Sequence, residues 1–313
     1  MKIVAITPDR KTDYLAETVI DGIHDLGIDL IASNIGNGIE KSYSDQEIIE
    51  HSKDADYIFV IWGKVRGNMP PKYYLLDNIN RPERSVYIDG SEWTSTGYPE
   101  NKMQTSDAKL DWKKRRGSPW INNEMIKKCN WYFKRECYPE DAEAGIIPLL
   151  FGAKREFFKD ENPEKTIDIF CSFGQEKDGL RSEAINLCKK LKSEGYKVVT
   201  DKNLSYDHYR NLLFSSRISI DSWGGGDCCR RLWENLAAKT CCITQRYNIV
   251  FPDDFTDGEN ILKYSSVEEL EKKINYVLDS NDRSNQIAEN GYSHLLKYHT
   301  SKKRVEYILN KIG

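Results

Sequence analysis

Short, continuously apolar runs alternate with helical stretches along most of the chain. In the first half the runs are IVAIT (3–7), IDLIAS (28–33), DYIFVIW (56–62) and SVYID (85–89). An amphipathic stretch near 13–26 and a polar helix near 44–53 lie between them. A strand that is apolar at nearly every position is buried on both faces, as happens in a parallel sheet covered by helices above and below. This rhythm predicts a Rossmann-like first domain.

A second series starts at residue 166 with TIDIFCSF. A helix over about 180–194 ending at Gly195, YKVVT (196–200), a helix near 205–214, ISIDSW (218–223), a helix near 228–238 and CCITQ (241–245) follow. Between the series, IIPLLFGAKREFF (146–158) reads as a strand and the polar DENPEK (160–165) as a connector. VEELEKKINYVL, RSNQIAENGYSHLLKY and SKKRVEYILNKI read as three C-terminal helices. The expected fold is therefore α/β, with two Rossmann-like domains facing each other across a cleft. The expected domains are 1–158, on the acceptor side, and 159–313, with the last helix a candidate to pack back on the first domain. A chain of 313 residues is long enough for two domains with separate cores.

Eight cysteines include the adjacent pairs Cys228-Cys229 and Cys241-Cys242, but no C-x-x-C and no His at ligand spacing, so no zinc site is expected. Reduced thiols fit a cytoplasmic protein. MKIVAIT runs straight into Pro8, Asp9, Arg10 and Lys11 and reads as a first strand, not a secretory leader. No apolar run approaches the roughly 20 residues needed to cross a bilayer, so any membrane association is expected to be peripheral. The formal net charge of -3 exerts no global pull on nucleic acid.

In open α/β sheets ligands sit beyond the carboxyl ends of the strands, so the loops there are where chemistry is expected. The richest is ISIDSWGGGDCCRRLWENLAAKTCCI. Gly224, Gly225 and Gly226 permit a tight turn, Asp227 is the expected N-cap, and Cys228 opens the next helix. Helix-start amides, with Arg230 and Arg231 one turn in, suit a diphosphate. Glu234 lies further along, where its carboxylate can accept from paired ribose hydroxyls. The competing reading is a purely structural turn.

From this point the chain resembles a known family. Arg-x-x-Glu-x-Leu-Ala is followed by a short strand, by Asp257-Gly258-Glu259-Asn260-Ile261-Leu262-x-Tyr264, by Glu289-Asn290-Gly291 and by Tyr298-His299-Thr300. Upstream stand Tyr132-Phe133-Lys134-Arg135-Glu136, Ile147-Pro148-Leu149-Leu150-Phe151-Gly152, Asp168 to Gly174, and Arg181. This ordered set, over roughly 130–305, is similar to group 1 glycosyltransferases, particularly their CgeB-like branch. The resemblance implies a GT-B fold, a nucleotide-sugar donor (a UDP- or GDP-sugar) and no obligatory metal or other cofactor. It identifies Glu234 with the second Glu of the donor motif. The first Glu falls eight positions earlier, where this chain has Gly226, with Asp227 beside it as an imperfect substitute. It also implies that Ser172, Gly174 and Arg181 close over the donor phosphates, against the alternative of an exposed loop with a solvated Arg. Thr244, Gln245 and Arg246 would line the base pocket, and Asp257 to Asn260, including Glu259, would lie near the sugar.

On the acceptor side, Asp89-Gly90-Ser91-Glu92 ends a strand. Asp89 and Glu92 are the candidate bases for deprotonating an acceptor hydroxyl, against an Asx turn with an exposed Glu. The five histidines form no catalytic or metal spacing and are read as structural. Residues Lys109 to Arg135 carry nine Lys/Arg against Asp111 and Glu124, a local charge of +7, interleaved with Trp112, Trp120, Trp131, Tyr132 and Phe133. Such a surface suits a lipid-linked phosphate, an anionic glycan or, less favoured, nucleic acid. The alternative is a solvated loop and a helix with core aromatics.

Sugar transfer to a glycan, lipid-linked or polyanionic acceptor is the leading expectation. A nucleotide-sugar epimerase of the same fold and a non-catalytic nucleotide- or sugar-binding module are the alternatives. A nicotinamide dehydrogenase is disfavoured, because Thr7-Pro8-Asp9-Arg10 after the first strand lacks G-x-G-x-x-G.

Overall fold

The computed structural model describes residues 1–7, 14–33, 41–62, 72–90, 122–158, 163–174, 179–224 and 226–313. The chain divides into two compact units, Met1–Gly152 with Ile249–Pro252 and Ser301–Gly313, and Ala153–Asn248 with Asp253–Thr300.

The first unit holds strands β1 (Lys2–Ile6), β2 (Asp29–Ala32), β3 (Tyr57–Trp62), β4 (Ser85–Asp89), β5 (Trp131–Lys134) and β6 (Ile147–Pro148). All pair in parallel, in the order β2-β1-β3-β4-β5-β6. Helices α1 (Tyr14–Asp25), α2 (Asp45–His51), α3 (Tyr74–Ile79), α4 (Asn123–Lys128) and α5 (Pro139–Glu143) accompany them. β4 is buried at every position, as its apolar run predicts. α2 begins with a reciprocal cap: Glu47 N donates to Ser44 Oγ (3.3 Å) and Ser44 N to Glu47 Oε2 (2.8 Å).

The second unit holds β7 (Ile167–Phe170), β8 (Val198–Val199), β9 (Ser216–Asp221), β10 (Cys241–Gln245) and β11 (Leu262–Tyr264), parallel in the order β11-β10-β9-β7-β8. Its helices are α6 (Leu180–Ser193), α7 (Tyr206–Phe214), α8 (Arg230–Ala237), α9 (Val267–Leu278) and α10 (Asn281–Tyr298). Ile169, Ile218, Ile220, Ile243 and Tyr264 from the sheet pack with Ile185, Leu191, Leu270 and Ile274 from the helices into one core. The last helix, α11 (Ser301–Ile312), returns to the first unit and packs along α1. Gly22 admits it, because a Cβ there would collide with the Ser301 carbonyl. Arg304, buried, donates from Nε to Phe151 O at 2.9 Å.

Three segments differ from expectation. The stretch 146–158 yields only the two-residue edge strand β6, followed by one further bond to β5, from Leu149 N to Lys134 O at 2.9 Å. YKVVT likewise contributes only Val198 and Val199. The basic stretch ending at Arg135 contains an unanticipated core strand, β5. Tyr132, Phe133, Lys134 and Arg135 are buried, not part of a surface. Residues 109–121 of that stretch lie outside the described residues.

Candidate functional site

β7 pairs with β8 on one side and β9 on the other, so the chain's winding reverses between β7 and β9. The loops leaving the carboxyl ends of these two strands diverge at such a point and leave a crevice suited to a ligand. They are the loop from Cys171 to Gly174 and the turn from Ser222 to Cys229.

In the first loop Phe173 is buried and Gly174 exposed. Ser172 Oγ donates to Asp201 O at 2.7 Å, so this hydroxyl ties down the loop after β8. Arg181, in the first turn of α6, donates from Nη1 to Gly174 O (3.3 Å). Its guanidinium lies 5.3 Å from the Phe173 ring centroid, and that of Arg231 lies 4.9 Å from the same ring. One aromatic ring thus holds two guanidiniums at the crevice, each within cation–π reach.

The glycine turn passes close to them. A Cβ on Gly224 would lie 2.8 Å from Cys229 Sγ and 3.4 Å from Arg181 Nη2, so only glycine fits without displacement. Gly224 N donates to Gly226 O (3.1 Å), and Gly226 and Cys228 are buried. Gly225 lies outside the described residues. α8 begins at Arg230 with Cys229 at its N-cap, which provides no side-chain cap bond. The expected cap, Asp227, instead accepts through Oδ2 from Asn248 N (2.8 Å) and Asn248 Nδ2 (3.1 Å) and pins the glycine turn to the segment after β10. Arg230 and Arg231 are therefore the first two helical residues, nearer the helix's positive end than expected.

Beneath the turn, Asp221 ends β9. It is buried, accepts from Thr244 Oγ1 at 3.1 Å, and faces Arg231 Nε at 3.8 Å. Burial pushes its carboxyl above the usual range, opposed by Arg231 and by the Thr244 bond. Burial pulls Arg231 the other way, but Asp221, followed by Cys229, Tyr209 and Glu234, together outweigh it and the guanidinium stays firmly charged. Thr244, expected to line a base pocket, is committed to Asp221. Gln245 Oε1 accepts from Ser222 Oγ (2.9 Å) and Trp223 N (3.2 Å), which joins the ends of β9 and β10.

One turn along α8, Glu234 is only 3% exposed. Tyr209, on α7, donates its hydroxyl to Glu234 Oε2 at 2.8 Å, and Arg230 Nε stands 3.5 Å from Oε1. Burial raises the carboxyl's pKa, opposed by Arg230 and by the Tyr209 bond. Tyr209 escapes sequence reasoning because its partner lies 25 positions away.

The remaining candidates hold loops. Arg246 Nη2 donates to Asp257 Oδ2 (2.7 Å) and Glu269 Oε1 (3.3 Å). Asn260 Oδ1 accepts from Thr256 N (2.8 Å), and the Glu259 carbonyl accepts from Asn290 Nδ2 (3.0 Å). His294 and His299 both place Nε2 on Asp253 O, at 2.7 and 2.9 Å, in keeping with structural roles. In the first unit, Asp89 is fully buried at the end of β4. It accepts from Tyr132 OH at 2.6 Å and pairs with buried Lys134 at 3.6 Å. Glu92 lies outside the described residues.

Comparison with known proteins agrees with this architecture. Residues 155–310 match the family described as glycosyl transferase-like. A glycosyltransferase from Rickettsia africae superposes with a TM-score of 0.61 at 12% identity, covering 99% of this chain and 97% of that one. Anabaena HepE in complex with UDP-glucose gives 0.60 at 9% identity, covering 100% and 99%. Sucrose-phosphate synthase from Thermosynechococcus elongatus gives 0.54 at 9% identity, covering 99% and 98%. No curated protein matches the sequence. The fold is that of the GT-B glycosyltransferases.

Proposed function

We propose that this protein is a nucleotide-sugar-dependent glycosyltransferase whose second unit holds the donor. The observation that carries the reading is the meeting of Arg181, Arg231, the Gly224–Gly226 turn and the start of α8 at the β7/β9 reversal, with Glu234 one turn further on. Two guanidiniums and a helix N-terminus suit a diphosphate, and a buried carboxylate nearby suits a ribose diol. HepE, which has this fold, is known in complex with UDP-glucose, and this supports UDP as the first donor nucleotide to try. The ordered motifs around Glu234 and Glu259 to Tyr264 favour the CgeB-like branch.

In the proposed reaction an acceptor hydroxyl oxygen bonds to the sugar's anomeric carbon as the bond from that carbon to the diphosphate oxygen breaks. The nucleoside diphosphate leaves with the electron pair, and Arg181, Arg231 and the α8 amides stabilise its charge. Charge neutralisation by arginine supports a reaction without an obligatory metal. The proton of the acceptor goes to a base on the acceptor side. We favour Glu92 over Asp89, whose carboxylate is already engaged by Tyr132 and Lys134. Gly226 in place of the first family Glu, with Asp227 spent on Asn248, implies that the sugar is recognised by other groups. Residues 109–121 remain the proposed source of selectivity for a glycan, lipid-linked or other anionic acceptor.

Thermal denaturation with UDP, GDP, ADP, CMP and NAD tests the donor reading. A nucleoside diphosphate at 100 times its Kd stabilises the fold by about 2.7 kcal/mol, and a selective rise is expected. No rise with any of them contradicts it. Epimerised sugar or free nucleotide without transfer, once a donor is found, would identify an epimerase instead.

A further inference from the structure

Glu234 sits in a crowded polar corner. From α7 come Tyr206 and Tyr209, from its own helix Arg230 and Arg231, and from the segment before β7 Lys154 and Glu156. The partners are already sorted. Tyr206 OH donates to Glu156 Oε1 at 2.5 Å, and Lys154 stands 3.8 Å from the same oxygen. Among the described residues, Tyr209 is the hydroxyl that reaches Glu234.

We propose that Tyr209 is the positioning residue of the donor site: its hydroxyl fixes Oε2 of Glu234 and turns Oε1, on the side of the exposed Arg230, toward the ribose diol. This rests on the reading of Glu234 as the ribose clamp. Tyr209 is itself anchored, because its ring meets Phe170 of β7 edge-on at 5.3 Å. Burial, followed by the charge of Glu234, pushes the Tyr209 hydroxyl's pKa far upward, so it remains a donor across the working pH range. A hydrogen bond donated to a carboxylate favours the charged form, and burial acts against it. Tyr209 thus fixes the angle of the carboxylate and, second to Arg230, lowers the pH above which it is an anion able to accept two ribose hydroxyls.

Tyr209→Phe keeps the ring and its packing on Phe170 and removes only the donor. UDP and GDP are titrated calorimetrically into the full-length protein, Tyr209→Phe, Glu234→Ala and Glu234→Gln from pH 5 to 8. The expected result is that Tyr209→Phe weakens the bound nucleotide about tenfold at the acidic end and less at pH 8, as the midpoint of affinity against pH moves upward. In the Glu234→Gln background, Tyr209→Phe should produce no upward movement of a midpoint. Unchanged affinity in Tyr209→Phe at every pH, with binding still lost in Glu234→Ala, overturns the role of Tyr209 and leaves the donor site standing. Equal weakening at every pH, or the same pH-dependent effect in the Gln background, makes Tyr209 merely structural. Unchanged affinity in Glu234→Ala, or no binding of either nucleotide by the parent protein, refutes the ribose clamp and this inference with it.

Discussion

Asp221 and Arg231 face each other across 3.8 Å between the end of β9 and the first turn of α8, both largely out of water. Each is held from elsewhere: Asp221 by Thr244, and Arg231 by its place near the Phe173 ring. Removing one partner of a buried pair leaves the other charge uncompensated. Arg231→Met removes the cation beside a carboxylate that burial already penalises, and should therefore lower the unfolding free energy at neutral pH by about 3 kcal/mol, read from urea denaturation midpoints. An unchanged midpoint would contradict a stabilising role for Arg231 beside Asp221.

Glu234 behaves differently because its cationic neighbour Arg230 is 64% exposed and stays hydrated when the carboxylate is gone. Its carboxyl pKa is raised in the fold, so the folded state holds a proton that the unfolded chain has released. Stability contributed by this group therefore falls as pH rises from about 4.3, the ordinary Glu value, through the raised folded value. Glu234→Gln lacks this slope. It should be more stable than the parent protein above that window while binding nucleoside diphosphate more weakly, as expected where a strained group serves function. Melting temperatures from pH 4 to 8 check the sign.

Gly291 supplies a test of the loop behind the site. It lies within α10, where Ala is normally the better helix former by about 1 kcal/mol. Here a Cβ would sit 2.5 Å from the Asn260 carbonyl oxygen and 3.0 Å from Leu236 Cδ2. Gly291→Ala should therefore destabilise the protein, by about 1–3 kcal/mol, and displace the turn from Asp257 to Ile261. A gain in melting temperature would show that this contact relaxes freely.

The fold was legible where the sheets are most buried. IVAIT, DYIFVIW, SVYID and CCITQ are apolar because both sheet faces are covered, and each became a strand close to its expected bounds. β5 was not legible, because Trp131 to Lys134 ends in charge. Lys134 is buried only because Asp89 stands beside it across the ladder, and this pairing spans 45 positions. The glycine turn and its basic pair could be read from local chemistry. The tasks of Asp227, Thr244 and Asn260 could not, since short polar side chains look alike in sequence whether they meet a ligand or a neighbouring loop. Their partners here are Asn248, Asp221 and Thr256. Tyr209 was hidden for the same reason, since only the packing of α7 against the sheet brings it to Glu234.

The most direct test of the central claim is a crystal structure of the protein grown with UDP. The account predicts diphosphate oxygens within about 3 Å of the Arg181 and Arg231 guanidiniums, over the Gly224–Gly226 turn, with the ribose hydroxyls on Glu234. UDP bound away from that turn, or with its ribose turned from Glu234, would contradict it.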